Sequence, residues 1–167
     1  HCCYSEPPVK GWPAACNWAW QETARWMFAA PIKQPWLWLE ADSMPIKPGW
    51  VLMLEEAHAK GGKSFGGHVV KDMNHMNGVG IYPWDVMRRN EMAMLTRAAA
   101  WDVVLKPSTE HDCVRLNHLI QHSWNVHPDG ITIWNGAGTP ISFKTQADVE
   151  KWMDFNVCLI HRIKDGS

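Results

Sequence analysis

The sequence predicts an α+β protein in a single domain spanning residues 1–167. Three observations carry this: one long helical stretch near the N-terminus, several short apolar runs bounded by glycine and proline, and a mixed order of elements without regular alternation. A chain of 167 residues fills one ordinary core, and dividing it would leave both halves thin. The expected arrangement is an N-terminal helix on a small antiparallel sheet, followed by a ββαβ-like C-terminal part.

The elements follow in order. Pro13 suits a first helical turn, and Cys16, Trp20, Ala24, Met27 and Phe28 recur at three- and four-residue steps, so residues 13–30 read as a helix that Pro31 closes. Four prolines between 31 and 49 give a loop with one short extended piece in "WLWLE". "KPGWVLMLEE" reads as a turn into a strand over 50–56, and "AHAKGGKSFGG" as a flexible connection. "HVVKDM" is a second strand, "HMNG" a turn and "VGIY" a third strand, ended by Pro83. Asp85 then caps a helix over 86–100, the apolar run "DVVL" follows, and "PSTEHD" launches a helix to about 123. The chain closes with strand "ITIW", turn "NGAG", strand "PISF", a threonine-capped helix over 146–154 and strand "VCLIHRI".

Composition narrows the function. The longest uncharged apolar run falls short of a membrane span, and sixteen basic against seventeen acidic residues give a net charge of −1. A soluble protein is expected, with no membrane partner and no overall field for nucleic acid; a protein partner stays open. The chain opens on His1 and shows no signal-peptide pattern, as a processed or trimmed chain would, which leaves the compartment open, secretion included. Twelve tryptophans mostly fill the core, and any exposed ones are candidates for stacking on a sugar, a base or a partner surface. Five cysteines, at 2, 3, 16, 113 and 158, form no C-x-x-C pair, and their odd number tolerates a free Cys16.

That cysteine is the sharpest candidate. In a first helical turn, unsatisfied N–H groups and the positive end of the helix dipole favour a thiolate. A nucleophile also needs a base and a group to orient it. His68, at a strand start behind two glycines, is the candidate base, with Asp85 as orienting residue and Asp72 and Asn74 as competitors. The order of cysteine on an early helix, histidine on a strand and a polar residue beyond it resembles the papain-like superfamily. Within that superfamily, "CNWAW", "PGWVLML" and "GGHVV" look most like the NlpC/P60 and CHAP amidase-peptidases. The resemblance covers residues 11–86. It implies a papain-like or NlpC-like fold and a thiol hydrolase that attacks peptide amides, including those of peptidoglycan, through Cys16, His68 and Asp85. The sequence departs from the family pattern at Trp50, where an aspartate is usual, and at Lys10, where a papain relative has glutamine, so the second oxyanion donor is unassigned.

Four other readings stand beside it. Cys16 can be a buried residue on the face of Trp20 and Met27. "AHAKGGKS", residues 57–64, fits a loose phosphate-loop pattern, which requires a helix to begin at Lys63 and Ser64. His118 and His122, four apart on the expected helix, with Cys113, His111 or His127, form a candidate zinc site, although Leu119 replaces the glutamate of H-E-x-x-H. A tryptophan-rich binding module without catalysis is the rival from a different class.

Overall fold

The computed structural model describes residues 8–70, 74–127, 130–134, 140–145, 148 and 157–164. It is an α+β fold built from two small mixed sheets and several helices. Helix α1 spans Ala14–Ala29, as its periodicity requires, and Trp20 and Ala24 form its buried stripe. The proline-rich stretch holds two short strands, β1 (Trp36–Trp38) and β2 (Ser43–Pro45).

The strand expected over 50–56 is instead helix α2, Trp50–Gly61. Trp50, Met53, Leu54 and Ala57 recur at helical spacing and pack on one core, a period that the apolar run "WVLML" conceals. Gly49, at φ 74°, makes the turn into this helix in a left-handed conformation that favours glycine. Strand β3 (Phe65–Val70) follows, and Asn74 turns the chain into β4 (His75–Tyr82), so "HMNG" is strand and not turn.

The helix expected over 86–100 is broken into α3 (Val86–Arg89) and α4 (Glu91–Leu95). Asn90 leaves helical geometry between them, donating through Nδ2 to Val86 O while its own carbonyl accepts from Ala93 N and Met94 N. Asp102, Val103 and Val104 of "DVVL" lie in helix α5 (Trp101–Val104), which Leu105 caps, and α6 (Lys106–Thr109) follows. The long helix expected to run to 123 is therefore absent. Its place is taken by β5 (Cys113–Arg115) and β6 (Ile120–His127), because the segment after Asp112 completes the first sheet by pairing with β3. Strands β7 (Gly130–Trp134), β8 (Pro140–Phe143) and β9 (Leu159–Lys164) match the C-terminal expectation. Thr145 and Asp148 exchange reciprocal capping bonds, and the rest of the expected helix over 146–154 lies outside the described residues, except position 148.

The first sheet runs β1-β4-β3-β5 and the second β2-β9-β6-β7-β8. The first was expected to be antiparallel, but both are mixed. β5 returns to β3 across helices and β9 reaches β6 across a long connection, so both join in parallel. One core lies between α1 and the first sheet. There Trp20 stacks on Trp101 at 5.9 Å, and Trp36 stacks on Tyr82 at 5.1 Å. The other core joins Leu54 of α2 and Val79 and Ile81 of β4 to Ile120 and Leu159 of the second sheet. The two sheets thus meet along β3 and β4 on one side and β6 and β9 on the other.

Candidate functional site

Cys16 is the third residue of α1, and it is exposed rather than packed beneath Trp20 and Met27. Its helix end is fixed by its neighbour. Asn17, only 1% exposed, donates from Nδ2 to Ala99 O (2.8 Å) and Thr96 O (3.3 Å), while its Oδ1 accepts from Trp101 N (3.0 Å). One turn on, Gln21 Nε2 donates to Ala93 O and Thr96 O. These two amides tie the start of α1 to the connection between α4 and α5. The environment of the thiol corrects the expectation of a stabilised thiolate. Partial burial pushes it above the ordinary cysteine range, and the charges of Glu40 and Asp42 push it further.

Those two acids lie between β1 and β2. β2 pairs with β9 in a register that sets Ser43 opposite His161. His161 is 2% exposed, and its Nε2 lies 3.0 Å from Glu40 Oε2 and 3.3 Å from Asp42 Oδ1. Gly78 on β4 allows the approach, since a Cβ there would collide with Glu40 Oε1. Glu40, Asp42 and His161 each offer one ligand atom, the three atoms lying within 4.8 Å of one another.

His68 lies on β3 at an irregularity in its pairing with β4, and its Nδ1 meets Ile120 O at 2.9 Å. A carbonyl partner requires the proton on Nδ1, which places the imidazole lone pair on Nε2. Burial lowers the His68 pKa; the Ile120 carbonyl opposes that shift, and nearby His161 adds to it. His161 thus acts electrostatically on His68, and it touches the two acids whose charges act on Cys16.

Asp85 is buried with its carboxylate on cations. Arg89 Nε lies 2.8 Å from Oδ1 and Arg88 lies 3.5 Å from Oδ2, while the α3 cap itself has no side-chain hydrogen bond. Asn74 is engaged with Glu110 and Arg115, and Asp72 lies outside the described residues. The described bonds of His68 and Asp85 run to other groups, and no described bond joins Cys16, His68 and Asp85 to one another.

The zinc reading of residues 111–127 loses its premise, because His118 and His122 do not share a helix face. His118 sits exposed in a turn, His122 belongs to β6, His127 ends that strand, and His111 is exposed ahead of β5. Cys113 is buried on β5, where desolvation pushes its thiol up to about 11. The phosphate-loop reading fails for a related reason. A helix runs through Gly61 and a strand starts at Phe65, so no helix N-terminus forms at Lys63 and Ser64, and Lys63 donates to His111 O.

Glu40, Asp42 and His161 were not legible as a group from sequence. The available signal was a histidine at an inward position of an apolar strand, "VCLIHRI", but its partners lie about 120 residues away.

The fold and site define an α+β protein with two mixed sheets and a histidine–carboxylate cluster whose charges act on an exposed thiol. Compared with known proteins, the chain matches no family model, no curated protein and no solved structure at a significant level.

Proposed function

We propose that the chain is a thiol hydrolase of peptide amides, with Cys16 as nucleophile and His161 as base. The observation that supports this reading is that Glu40 and Asp42, whose oxygens lie 3.0 Å and 3.3 Å from His161 Nε2, are also near enough for their charges to act on the exposed Cys16 thiol. Because the thiol is held above its ordinary range, the mechanism is general-base attack by a thiol and not by a resting thiolate. His161 removes the Sγ proton as the S–C bond forms, and the carbonyl electron pair moves to oxygen. Glu40 and Asp42 stabilise the imidazolium formed in this step. Collapse breaks the C–N bond, and the imidazolium returns its proton to the leaving amine. Water, deprotonated by the same imidazole, then hydrolyses the thioester and regenerates the thiol.

His161 takes the role first given to His68, and Glu40 with Asp42 the role first given to Asp85, whose carboxylate is committed to Arg89. Trp12, 76% exposed in the approach to α1, supplies an aromatic surface four residues before the thiol. A peptidoglycan substrate rests on the resemblance to the NlpC/P60 and CHAP families alone.

The test is hydrolysis of peptide p-nitroanilides and of a muropeptide digest, with mass spectrometry to trap a thioester on Cys16. Cys16→Ser should abolish turnover. His161→Gln should lower it by at least about 100-fold, the lower end of what a positioned base contributes. Glu40→Gln, at a half-buried position, keeps the test informative should His161→Gln fail to fold. Full activity in Cys16→Ser, or in both other variants, overturns the reading. The exposure of Trp12 (76%) and Trp26 (58%) favours a second reading, a binding module for glycans or peptides. That module would retain peptidoglycan in a pull-down without turning anything over.

A further inference from the structure

We infer that Glu40, Asp42 and His161 form a binding site for a divalent transition-metal ion of the zinc class. The inference rests on ligand geometry and is independent of the hydrolase reading. Zinc bound by imidazole nitrogen and carboxylate oxygen at about 2.0–2.2 Å in a tetrahedron holds neighbouring ligand atoms roughly 3.3–3.6 Å apart. Here Nε2 of His161 lies 3.0 Å from one carboxylate oxygen and 3.3 Å from the other, and all three ligand atoms fall within 4.8 Å of one another. Adjustment of these atoms around a central ion completes three corners of that figure, and the partly exposed acids open the fourth to solvent.

The surroundings are built for it. Ser43, opposite His161 in the β2–β9 register, carries a solvent-inaccessible Oγ with no hydrogen-bond partner among the described residues, a polar group beside the cluster's strand. Gly78 clears the space that Glu40 occupies. One imidazole among the donors selects against magnesium and calcium, which prefer all-oxygen shells, and in favour of zinc or a neighbouring first-row ion. An ion bound here occupies the lone pair of His161. On the hydrolase reading alone, this would make metal-loaded and hydrolytic states exclude each other; the site itself does not depend on that reading.

The experiment is equilibrium dialysis of the metal-stripped full chain against zinc chloride, repeated on Cys16→Ala, which has no hydrolase chemistry to confuse the result. Stoichiometric zinc is expected in both, with no displacement by about 100-fold excess magnesium. Glu40→Gln and Asp42→Asn should each weaken binding by more than the roughly tenfold that loss of an outer partner costs. Glu55→Gln, on the exposed side of α2, should leave it unchanged. Absence of stoichiometric zinc overturns the inference, and so does affinity unchanged in both carboxylate variants, which would put the ion on other histidines. If Cys16→Ala binds zinc and the hydrolase assay fails, only the thiol reading falls.

Discussion

Replacing Asn17 by alanine removes the clamp that positions the start of α1. Three hydrogen bonds are lost, to Ala99 O, Thr96 O and Trp101 N, from a side chain that is 1% exposed. At about 1 kcal/mol net for each bond, the direct loss is roughly 3 kcal/mol. Two features modify it. Thr96 O keeps its bond from Gln21 Nε2, which lowers the loss, whereas Trp101 N is left buried without Asn17 Oδ1, which raises it. A net cost of about 2–4 kcal/mol is a large share of the roughly 5–15 kcal/mol that holds an ordinary domain together. For a domain of this size, it lowers Tm by about 4–16 °C. Urea titration followed by circular dichroism measures it, with the alkylation rate of Cys16 as a local probe of the freed helix end. A loss below about 0.5 kcal/mol would refute the claim that these bonds fix α1.

Three further predictions follow from the packing. Gly78→Ala drives a methyl into the Glu40 carboxylate and the Trp101 ring, and should cost about 1–3 kcal/mol of stability by denaturant titration while halving or further reducing any zinc affinity; neutral behaviour would remove Glu40 from that position. Cys113, with its buried thiol pushed up to about 11, should resist Ellman's reagent at pH 8 in the folded chain and react once urea unfolds it; rapid reaction in the fold would contradict its burial. His68, with its pKa lowered in the fold, favours the native state above the unfolded-state value near about 6.5 and loses that contribution as pH falls through the folded value, because the unfolded chain binds the extra proton. His68→Gln should therefore flatten the fall in stability below about pH 6.5, and an unchanged profile would contradict it.

What was legible in the sequence was set by local periodicity. Helix α1 is readable because Trp20 and Ala24 fall on one face and proline brackets both ends. Strands β7, β8 and β9 are readable because each is a short β-rich run with turn residues beside it. Helix α2 was not, since "WVLML" satisfies a strand and a helix equally until tertiary packing selects Trp50, Met53, Leu54 and Ala57 as one face. The segment 106–127 was misread because its cap-like start announces a helix, whereas the parallel pairing of β5 with β3 is a long-range event with no local signature. The same limit applies to the site. Cys16 and His68 stand out by their neighbours in sequence, but Glu40 and Asp42 reach His161 only through the pairing of β2 with β9.

The central claim is that Cys16 and His161 share Glu40 and Asp42, and the pH profile of Cys16 alkylation tests it most directly. Iodoacetamide rates, with the site of modification read by mass spectrometry, should show the Cys16 thiolate appearing above the ordinary cysteine range of about 8.5. Removing negative charge favours the thiolate, so Glu40→Gln and Asp42→Asn should each move the profile to lower pH, and the double variant furthest. A wild-type profile at or below the ordinary range, unmoved by either substitution, would separate the thiol from the carboxylates and contradict the account.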